Sequence, residues 1–102
     1  MLEPYRTERF ISWHRRMRNR TAKARIAYHF DRVAHEGVML GDIRPIGEDV
    51  FEVRFHFGAG YRVYYTHLGS TIVLLLLGGD KSTQERDITV AKAMAREWRD
   101  HA

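Results

Sequence analysis

Apolar and polar residues alternate strictly in two segments near the middle of the chain. In residues 51–57 every odd position is apolar and every even position is polar, and residues 61–66 resume a similar pattern after a glycine-bearing break. A period of two is typical of a β-strand with one buried face. Glycine supplies the positive φ that tight turns require. The two segments therefore predict an antiparallel hairpin.

A register for this hairpin follows if Phe57 faces Tyr61 across the turn. The polar face then carries cations, an aromatic hydroxyl and a single acid. Two interpretations stay open, a solvated outer face and an anion-binding face, because guanidinium and ammonium groups suit phosphate. The predicted cross-strand pairs on the polar face are His56 with Arg62, Arg54 with Tyr64, and Glu52 with Thr66.

The first forty residues predict one strand and two helices. A short edge strand over residues 2–6 precedes a helix over residues 7–18, where apolar side chains recur at helical spacing and Thr7 is the N-cap. A second helix is capped by Thr21 and ends before Gly37, since glycine is favoured just beyond helix C-termini. We expect the two helices to form an antiparallel hairpin.

The remaining segments complete the predicted architecture. Residues 41–49 contain proline and glycine and predict a loop. Residues 71–77 are almost wholly apolar, which predicts a strand covered on both faces. Ser82 and Glu85 match a capping box that starts a last helix. A strand, two helices, a three-stranded antiparallel meander and a C-terminal helix make one α+β domain over residues 1–102.

Composition and charge narrow the class of protein. The 102 residues are 44% hydrophobic and 29% charged, which is typical of one globular domain. Seventeen lysines and arginines against 13 acids favour an anionic partner. No cysteine is present and no histidine pair has metal-ligand spacing, so neither a disulfide nor a metal site is expected. Without a signal pattern or a long apolar run, we expect a cytoplasmic protein that does not span a membrane.

The order of the elements and two motifs resemble the RelE/ParE toxin superfamily. The likeness is strongest to its branch of addiction-module killer proteins, which is similar to phage-derived and HigB-like toxins. It extends over nearly the whole chain, including the start of the second helix. The motifs are Gly60-Tyr61-Arg62-Val63-Tyr64-Tyr65 and Gly78-Gly79-Asp80-Lys81-Ser82-Thr83-Gln84.

The resemblance implies the toxin of a type II toxin–antitoxin system. For the RelE-like branch it implies an endoribonuclease, an mRNA interferase that cuts mRNA on the ribosome with neither metal nor cofactor. It also implies a cognate antitoxin, of helix-turn-helix type, and a toxin–antitoxin heterotetramer. The same fold serves toxins directed at DNA gyrase, and an inert antitoxin-binding relative is a further alternative, since a fold does not decide an activity.

The resemblance also assigns roles to individual residues. Arg62 matches the family's hairpin arginine, which stabilises the scissile phosphate, and Arg54 and Lys81 match basic positions beside it. His56 and Tyr64, on the predicted polar face, are the candidates for proton transfer, and the ordinary pKa of histidine favours His56. Further candidates for binding phosphate or RNA are Arg86, Lys23 and Arg25.

The carboxyl terminus departs from a ribonuclease pattern. Ribonucleases of this superfamily carry a tyrosine, histidine or acid in the final segment, whereas no tyrosine follows Tyr65 in this chain. Asp100 and His101 are the residues available there. Trp13 and Trp98 lie on apolar helical stripes, so we interpret both as core residues rather than as base-stacking platforms.

Overall fold

In the computed structural model, which describes residues 2–101, five strands form one sheet between three helices. The strands are β1 (Glu3–Arg6), β2 (Asp42–Gly47), β3 (Val50–Arg54), β4 (Arg62–Leu68) and β5 (Ile72–Gly79). The helices are α1 (Glu8–Arg15), α2 (Arg20–Glu36) and α3 (Gln84–Asp100), with a 3₁₀ turn, Lys81–Thr83, before α3. The strand order is β1-β5-β4-β3-β2, with β1 parallel to β5 and every other pair antiparallel.

The sheet has a hydrophobic core on each face. Helices α1 and α2 pack on one face, where Phe10, Ile26 and Phe30 are buried against β3, β4 and β5. Helix α3 packs on the other face through Ala91 and Ala95. Because β5 is an interior strand covered on both faces, its unbroken apolar pattern is explained and that prediction is confirmed.

The predicted helices form, with shifted ends. The hydroxyl of Thr7 accepts a hydrogen bond from the backbone N–H three residues later, so this N-cap is confirmed. Helix α1 ends at Arg15 rather than at residue 18. Asn19, not Thr21, caps α2, because its side-chain oxygen accepts the N–H three residues later at 3.0 Å. Gly37 follows α2 with φ of 73°, as predicted.

The prediction of a three-stranded meander is wrong by one strand. Residues predicted as a loop form β2, so four strands follow the helices. Pro45 is tolerated because β2 is an edge strand that pairs with β3 alone, and the register shifts between Pro45 and Gly47. Glu48 and Asp49, both with positive φ, then turn the chain into β3.

The predicted hairpin register is wrong by two residues. Arg54 faces Arg62 and Glu52 faces Tyr64, because residues 55–61 form a longer turn than the glycine spacing suggests. A shift of two keeps every side chain on its predicted face, since side chains alternate with a period of two. His56 therefore lies in the turn, beyond the end of β3.

The corner after β5 is capped differently from the prediction. Asp80, not Ser82, is the N-cap residue: it accepts the backbone N–H of Ser82 at 2.8 Å, and its own N–H donates to Thr83 at 3.3 Å. The cap thus comes two residues earlier and produces the 3₁₀ turn that carries Lys81. Among residues 2–101, no helix combines the length and apolar character needed to cross a bilayer.

Candidate functional site

Four residues in register form a row across the sheet, at the end where the turn between β3 and β4 lies. Asp42, Arg54, Arg62 and Gly79 pair in turn across β2, β3, β4 and β5. Paired residues in antiparallel strands place their side chains on the same face, here the face that α3 covers. The register thus brings the two candidate arginines directly opposite each other.

A buried carboxylate joins these arginines. Glu52 has 0% exposure, and its oxygens accept hydrogen bonds from Nε of Arg54 at 2.6 Å and Nε2 of Gln84 at 2.9 Å. Nε of Arg62 lies 3.5 Å from Oε2 of Glu52. We call Glu52, Arg54, Arg62, Tyr64 and Gln84 the Glu52 cluster.

The Glu52 carboxyl group stays ionised at neutral pH. Burial raises its pKa, but the hydrogen bonds from Arg54 and Gln84 and the charge of Arg54 outweigh burial, so the pKa is held below its usual range. Its negative charge in turn raises the pKa of Arg54 through their hydrogen bond. The cluster therefore combines one carboxylate with two guanidinium groups.

Sequence reasoning missed Glu52 and Gln84 as members of the site. A signal for Glu52 existed, because it is the only acid on the predicted polar face and an acid flanked by two arginines is a candidate ion pair. Gln84 lies 32 residues away on α3. No local pattern relates it to the hairpin, so only the packing of α3 reveals it.

Arg62 and Lys81 are neighbours at the corner of the sheet. Arg62 is only 9% exposed, and its Nη1 donates to the carbonyl of Gly60 at 3.0 Å. A Cβ on Gly60 would lie 3.5 Å from Cβ of Lys81 and 3.6 Å from Nη1 of Arg62. Lys81 is exposed and Arg54 is partly exposed, so these two cations face solvent more fully than Arg62 does.

Tyr64 belongs to the cluster but is closed off from solvent. It has 0% exposure, and its hydroxyl has no hydrogen-bond partner among the described residues. Burial, and then the negative charge of Glu52, raise the pKa of Tyr64 well above its usual range. The phenol therefore keeps its proton at neutral pH.

His56 lies at the margin of the site rather than within it. Its exposed ring is 2.6 Å from Oδ2 of Asp42, the residue that faces Arg54 in the row across the sheet. Hydrogen bonds from His56 and Arg44 hold the pKa of Asp42 below its usual range. His56 is thus linked to the Glu52 cluster through Asp42.

The other predicted phosphate ligands are dispersed. Arg86 is exposed on the first turn of α3, with Nε 3.9 Å from Asp87. Lys23 and Arg25 lie on α2, which packs on the opposite face of the sheet. Lys23 donates to the carbonyl of Arg15 at 3.1 Å, and the guanidinium of Arg25 lies 4.0 Å from the ring centre of Phe57.

The carboxyl-terminal residues lie away from the Glu52 cluster. Gln84, the first residue of α3, contacts Glu52, whereas His101 follows the last residue of the same helix. A helix of this length is about 25 Å long, at 1.5 Å per residue. Among the described residues, His101 makes its hydrogen bond with the carbonyl of Glu97. Neither Asp100 nor His101 adds a group to the site.

Trp98 is 36% exposed, so its interpretation as a core residue is wrong.

Comparisons with known proteins agree with this architecture. Residues 16–97 match the family described as "Phage derived protein Gp49-like (DUF891)". An uncharacterized protein of Haemophilus influenzae is 42% identical over 88 residues, covering 86% of this chain and 87% of the relative. The structure of a mutant of E. coli toxin RelE in the free state superposes with a TM-score of 0.67, covering 92% of this chain and 96% of that one. At 13% identity, this second likeness establishes the fold alone.

Proposed function

The chain belongs to the family of phage-derived Gp49-like proteins and has the RelE fold, and we propose that it is the toxin of a type II toxin–antitoxin system. In this proposal the toxin is an endoribonuclease that cleaves mRNA on the ribosome. The observation that carries the proposal is the corner where Lys81 adjoins Arg62, with Arg54 beside it. Arg54 faces Arg62 across β3 and β4, and a Cβ on Gly60 would lie within 3.6 Å of both Lys81 and Arg62. We also propose that the protein acts in the cytoplasm and that a cognate antitoxin neutralises it.

Phosphate-directed chemistry suits this corner. In the proposed reaction a ribose 2′-hydroxyl attacks the adjacent phosphorus, a new P–O bond forms and the bond to the 5′ oxygen breaks. Negative charge grows on the phosphorane oxygens, where fixed cations stabilise the transition state. We propose that exposed Lys81 binds these oxygens and protonates the leaving oxygen, and that the partly exposed Arg54 supplies a second cation.

Arg62 is more deeply buried than Lys81 and Arg54, so in the proposed site it approaches the phosphate from the protein side. Its guanidinium donates one hydrogen bond to the Gly60 carbonyl and lies in an ion pair with Glu52, which limits the reorganisation that accompanies the proposed reaction. His56 is the proposed base for the 2′-hydroxyl, since its imidazole is exposed and Asp42 orients it. Because the Tyr64 phenol keeps its proton, we assign it a supporting rather than a proton-accepting role.

Lys81→Ala tests the proposal, with Lys92→Ala as the matched control. Lys81 is exposed and forms no ion pair among the described residues, so its removal leaves the fold intact. We expect ribosome-dependent cleavage of mRNA by Lys81→Ala to fall by about 10²-fold, as for loss of one charge-stabilising group. Lys92→Ala, on the middle of α3, should cleave like the wild type. Growth arrest with intact transcripts would contradict the proposal.

Arg62→Ala is the second arm of this test, and Arg62→Lys keeps the charge beside Glu52. We expect Arg62→Ala to abolish cleavage and Arg62→Lys to retain the fold with reduced cleavage, because lysine lacks the guanidinium fork. Circular dichroism of both variants separates a loss of activity from a loss of structure. Equal cleavage by wild type and Arg62→Ala would remove Arg62 from the site.

One observation favours a second candidate function. Glu52 neutralises part of the charge of Arg54 and Arg62, which weakens their attraction for RNA. A non-nucleolytic toxin of the same fold, directed at DNA gyrase, needs no such attraction. Arrest with DNA-damage signalling and intact mRNA would support this alternative, and the absence of any growth effect would indicate an inert antitoxin-binding relative.

A further inference from the structure

An open groove lies where the end of α1 meets the β3–β4 turn, on the face of the sheet opposite the Glu52 cluster. Its volume is about 350 Å³. Two aromatic rings and two arginines dominate its lining. We call it the Trp13 groove, and its residues are Trp13, Arg16, Met17, Arg18, Asn19 and Tyr61.

The aromatic part of the groove is packed against the end of the sheet. The rings of Trp13 and Tyr61 lie 6.5 Å apart, centre to centre, at an angle of 64°. A Cβ on Gly78 would lie 2.3 Å from two carbons of the Trp13 six-membered ring, so the indole packs directly on the backbone of β5. Both rings are only half-buried. They therefore present a preformed apolar wall to solvent.

The cations of the groove are unpaired. Arg16 and Arg18 are exposed, and neither forms a salt bridge with any residue in the range 2–101. The exposed Arg32, Arg44 and Arg96 pair with carboxylates. Other exposed arginines of α1 and α2 also form no salt bridge among residues 2–101, so what sets Arg16 and Arg18 apart is their place beside two aromatic rings. No acid of the described part of the chain lines the groove. Unpaired guanidinium groups beside aromatic rings favour an anionic ligand that also offers a flat apolar face.

The groove adjoins the proposed cleavage corner. Tyr61 directly precedes Arg62, and Gly78, which supports Trp13, directly precedes Gly79, which faces Arg62. Because neighbouring residues of a strand point to opposite faces, the two sites lie on opposite sides of one sheet end. A single nucleic-acid strand crossing this end would meet both.

We propose that the Trp13 groove is a subsite for an unpaired base of single-stranded RNA. The base lies against Trp13 and Tyr61, and the flanking phosphates contact Arg16 and Arg18. Unpaired bases are recognised by stacking on aromatic rings, with cations along the backbone. The inference rests on the proposed function, because it takes the RNA bound at the cleavage corner as the ligand.

The fluorescence of Trp13 tests the proposal directly. The chain has two tryptophans, so Trp98→Phe leaves Trp13 as the only indole. The probe is a short 2′-O-methyl oligoribonucleotide, which binds but has no 2′-hydroxyl to attack. We expect saturable quenching, a Kd at least about fivefold weaker when Tyr61→Ala is added, and weaker binding with a shallower salt dependence in Arg16→Ala/Arg18→Ala.

Matched variants make the test decisive. Arg32→Ala/Arg44→Ala removes two arginines elsewhere on the surface, each paired with a carboxylate, and should leave quenching unchanged. A duplex of the same sequence should compete poorly, because its bases are stacked inside. Absence of quenching in the folded Trp98→Phe protein, equal competition by the duplex, or wild-type affinity in Arg16→Ala/Arg18→Ala would overturn the groove assignment.

The experiment also separates the two proposals. Quenching reports binding without cleavage, so a protein that quenches but leaves mRNA intact on the ribosome would contradict the proposed nuclease and keep the base subsite. Conversely, mRNA cleavage by a protein whose Trp13 fluorescence does not respond would keep the nuclease and remove the subsite. Lys81→Ala should lose cleavage, and because Lys81 also binds phosphate, its quenching should reach the wild-type amplitude only at higher oligonucleotide concentration.

Discussion

The two faces of the sheet are built on different principles. Under α1 and α2 the buried side chains are almost all apolar or aromatic, including Phe10, Phe30 and Phe55. Under the first turn of α3 the sheet instead buries a carboxylate and most of an arginine, Glu52 and Arg62. Apolar burial stabilises the fold directly, whereas buried ions stabilise it only when every partner is present.

The contrast also exists within the α3 face. Toward the middle of α3, Leu74, Leu76, Ala91 and Ala95 are fully buried and form an ordinary apolar core. Charge is concentrated at the end of the sheet where β3, β4 and β5 meet the Lys81 turn. Proteins depart from apolar packing mainly at functional sites, so this end is where the candidate chemistry is expected.

The largest expected effect comes from removing the buried carboxylate. Glu52→Ala should lower the free energy of unfolding by about 3–5 kcal/mol, because it leaves Arg62 buried without its counter-charge. The double variant Glu52→Met/Arg62→Leu should lose much less, since apolar groups then replace both ions. Urea unfolding of the double variant and of Glu52→Met and Arg62→Leu separately measures this, and additive losses would show that the ionic end of the α3 face behaves like the apolar face.

Substitutions at two adjacent glycines of β5 test the two faces of the sheet at the same place. A Cβ on Gly78 would meet the Trp13 ring at 2.3 Å, and a Cβ on Gly79 would meet Oδ2 of Asp87 at 1.9 Å. Gly78→Ala and Gly79→Ala should each cost about 1–3 kcal/mol of stability through overpacking. Gly79→Ala should also reduce mRNA cleavage, because it displaces the turn that carries Lys81, whereas Gly78→Ala should mainly weaken RNA binding at the Trp13 groove. Equal activity losses would erase this distinction between the faces.

Two adjacent tyrosines allow a gentler comparison. Tyr64 points to the α3 face with a buried hydroxyl that has no partner among residues 2–101, and Tyr65 points to the α1–α2 face. Tyr64→Phe should raise stability by about 1 kcal/mol, since it removes an unsatisfied buried polar group. Tyr65→Phe, the matched control, should leave the thermal midpoint nearly unchanged. A loss of stability in Tyr64→Phe would mean that its hydroxyl is bonded in solution.

The smallest effect concerns pH. Burial lowers the pKa of His29, on the α1–α2 face, below its ordinary 6.5, so the unfolded chain takes up a proton first as the pH falls. Stability should therefore decrease as the pH falls through 6.5, and His29→Phe should remove that slope. The contribution of Glu52, with its lowered pKa, should be lost only below the ordinary 4.5. Urea unfolding at several pH values between 4.5 and 6.5 measures the change in stability. The same dependence on pH in His29→Phe would show that His29 is not its cause.

The sequence predicted individual strands better than the contacts between them. Alternation in residues 51–57 identified the strand and the face of Glu52 and Arg54 correctly, even though the register was wrong by two. The strand Asp42–Gly47 was missed because Pro45 and Gly47 are typical of loops, and an edge position is what admits them.

The candidate site was predicted only in part. The motif resemblance pointed to Arg62 and Lys81, which the structure brings together around Gly60. The same reasoning missed Glu52 as their partner. It placed His56 on the strand, whereas the structure places it in the turn, where it contacts Asp42. Trp13 was interpreted as a core residue, yet one side of it lines an open groove.

By itself, the sequence determined the elements that depend on neighbours along the chain. Period-two alternation, the Thr7 cap and Gly37 after α2 are local, because side-chain direction and capping involve residues only a few positions apart. Tertiary structure alone decided the hairpin register, the contact between Gln84 and Glu52, and the apposition of Trp13 with Tyr61. Those contacts join residues distant in sequence, and the packing of α1 and α3 on opposite faces of one sheet selects them.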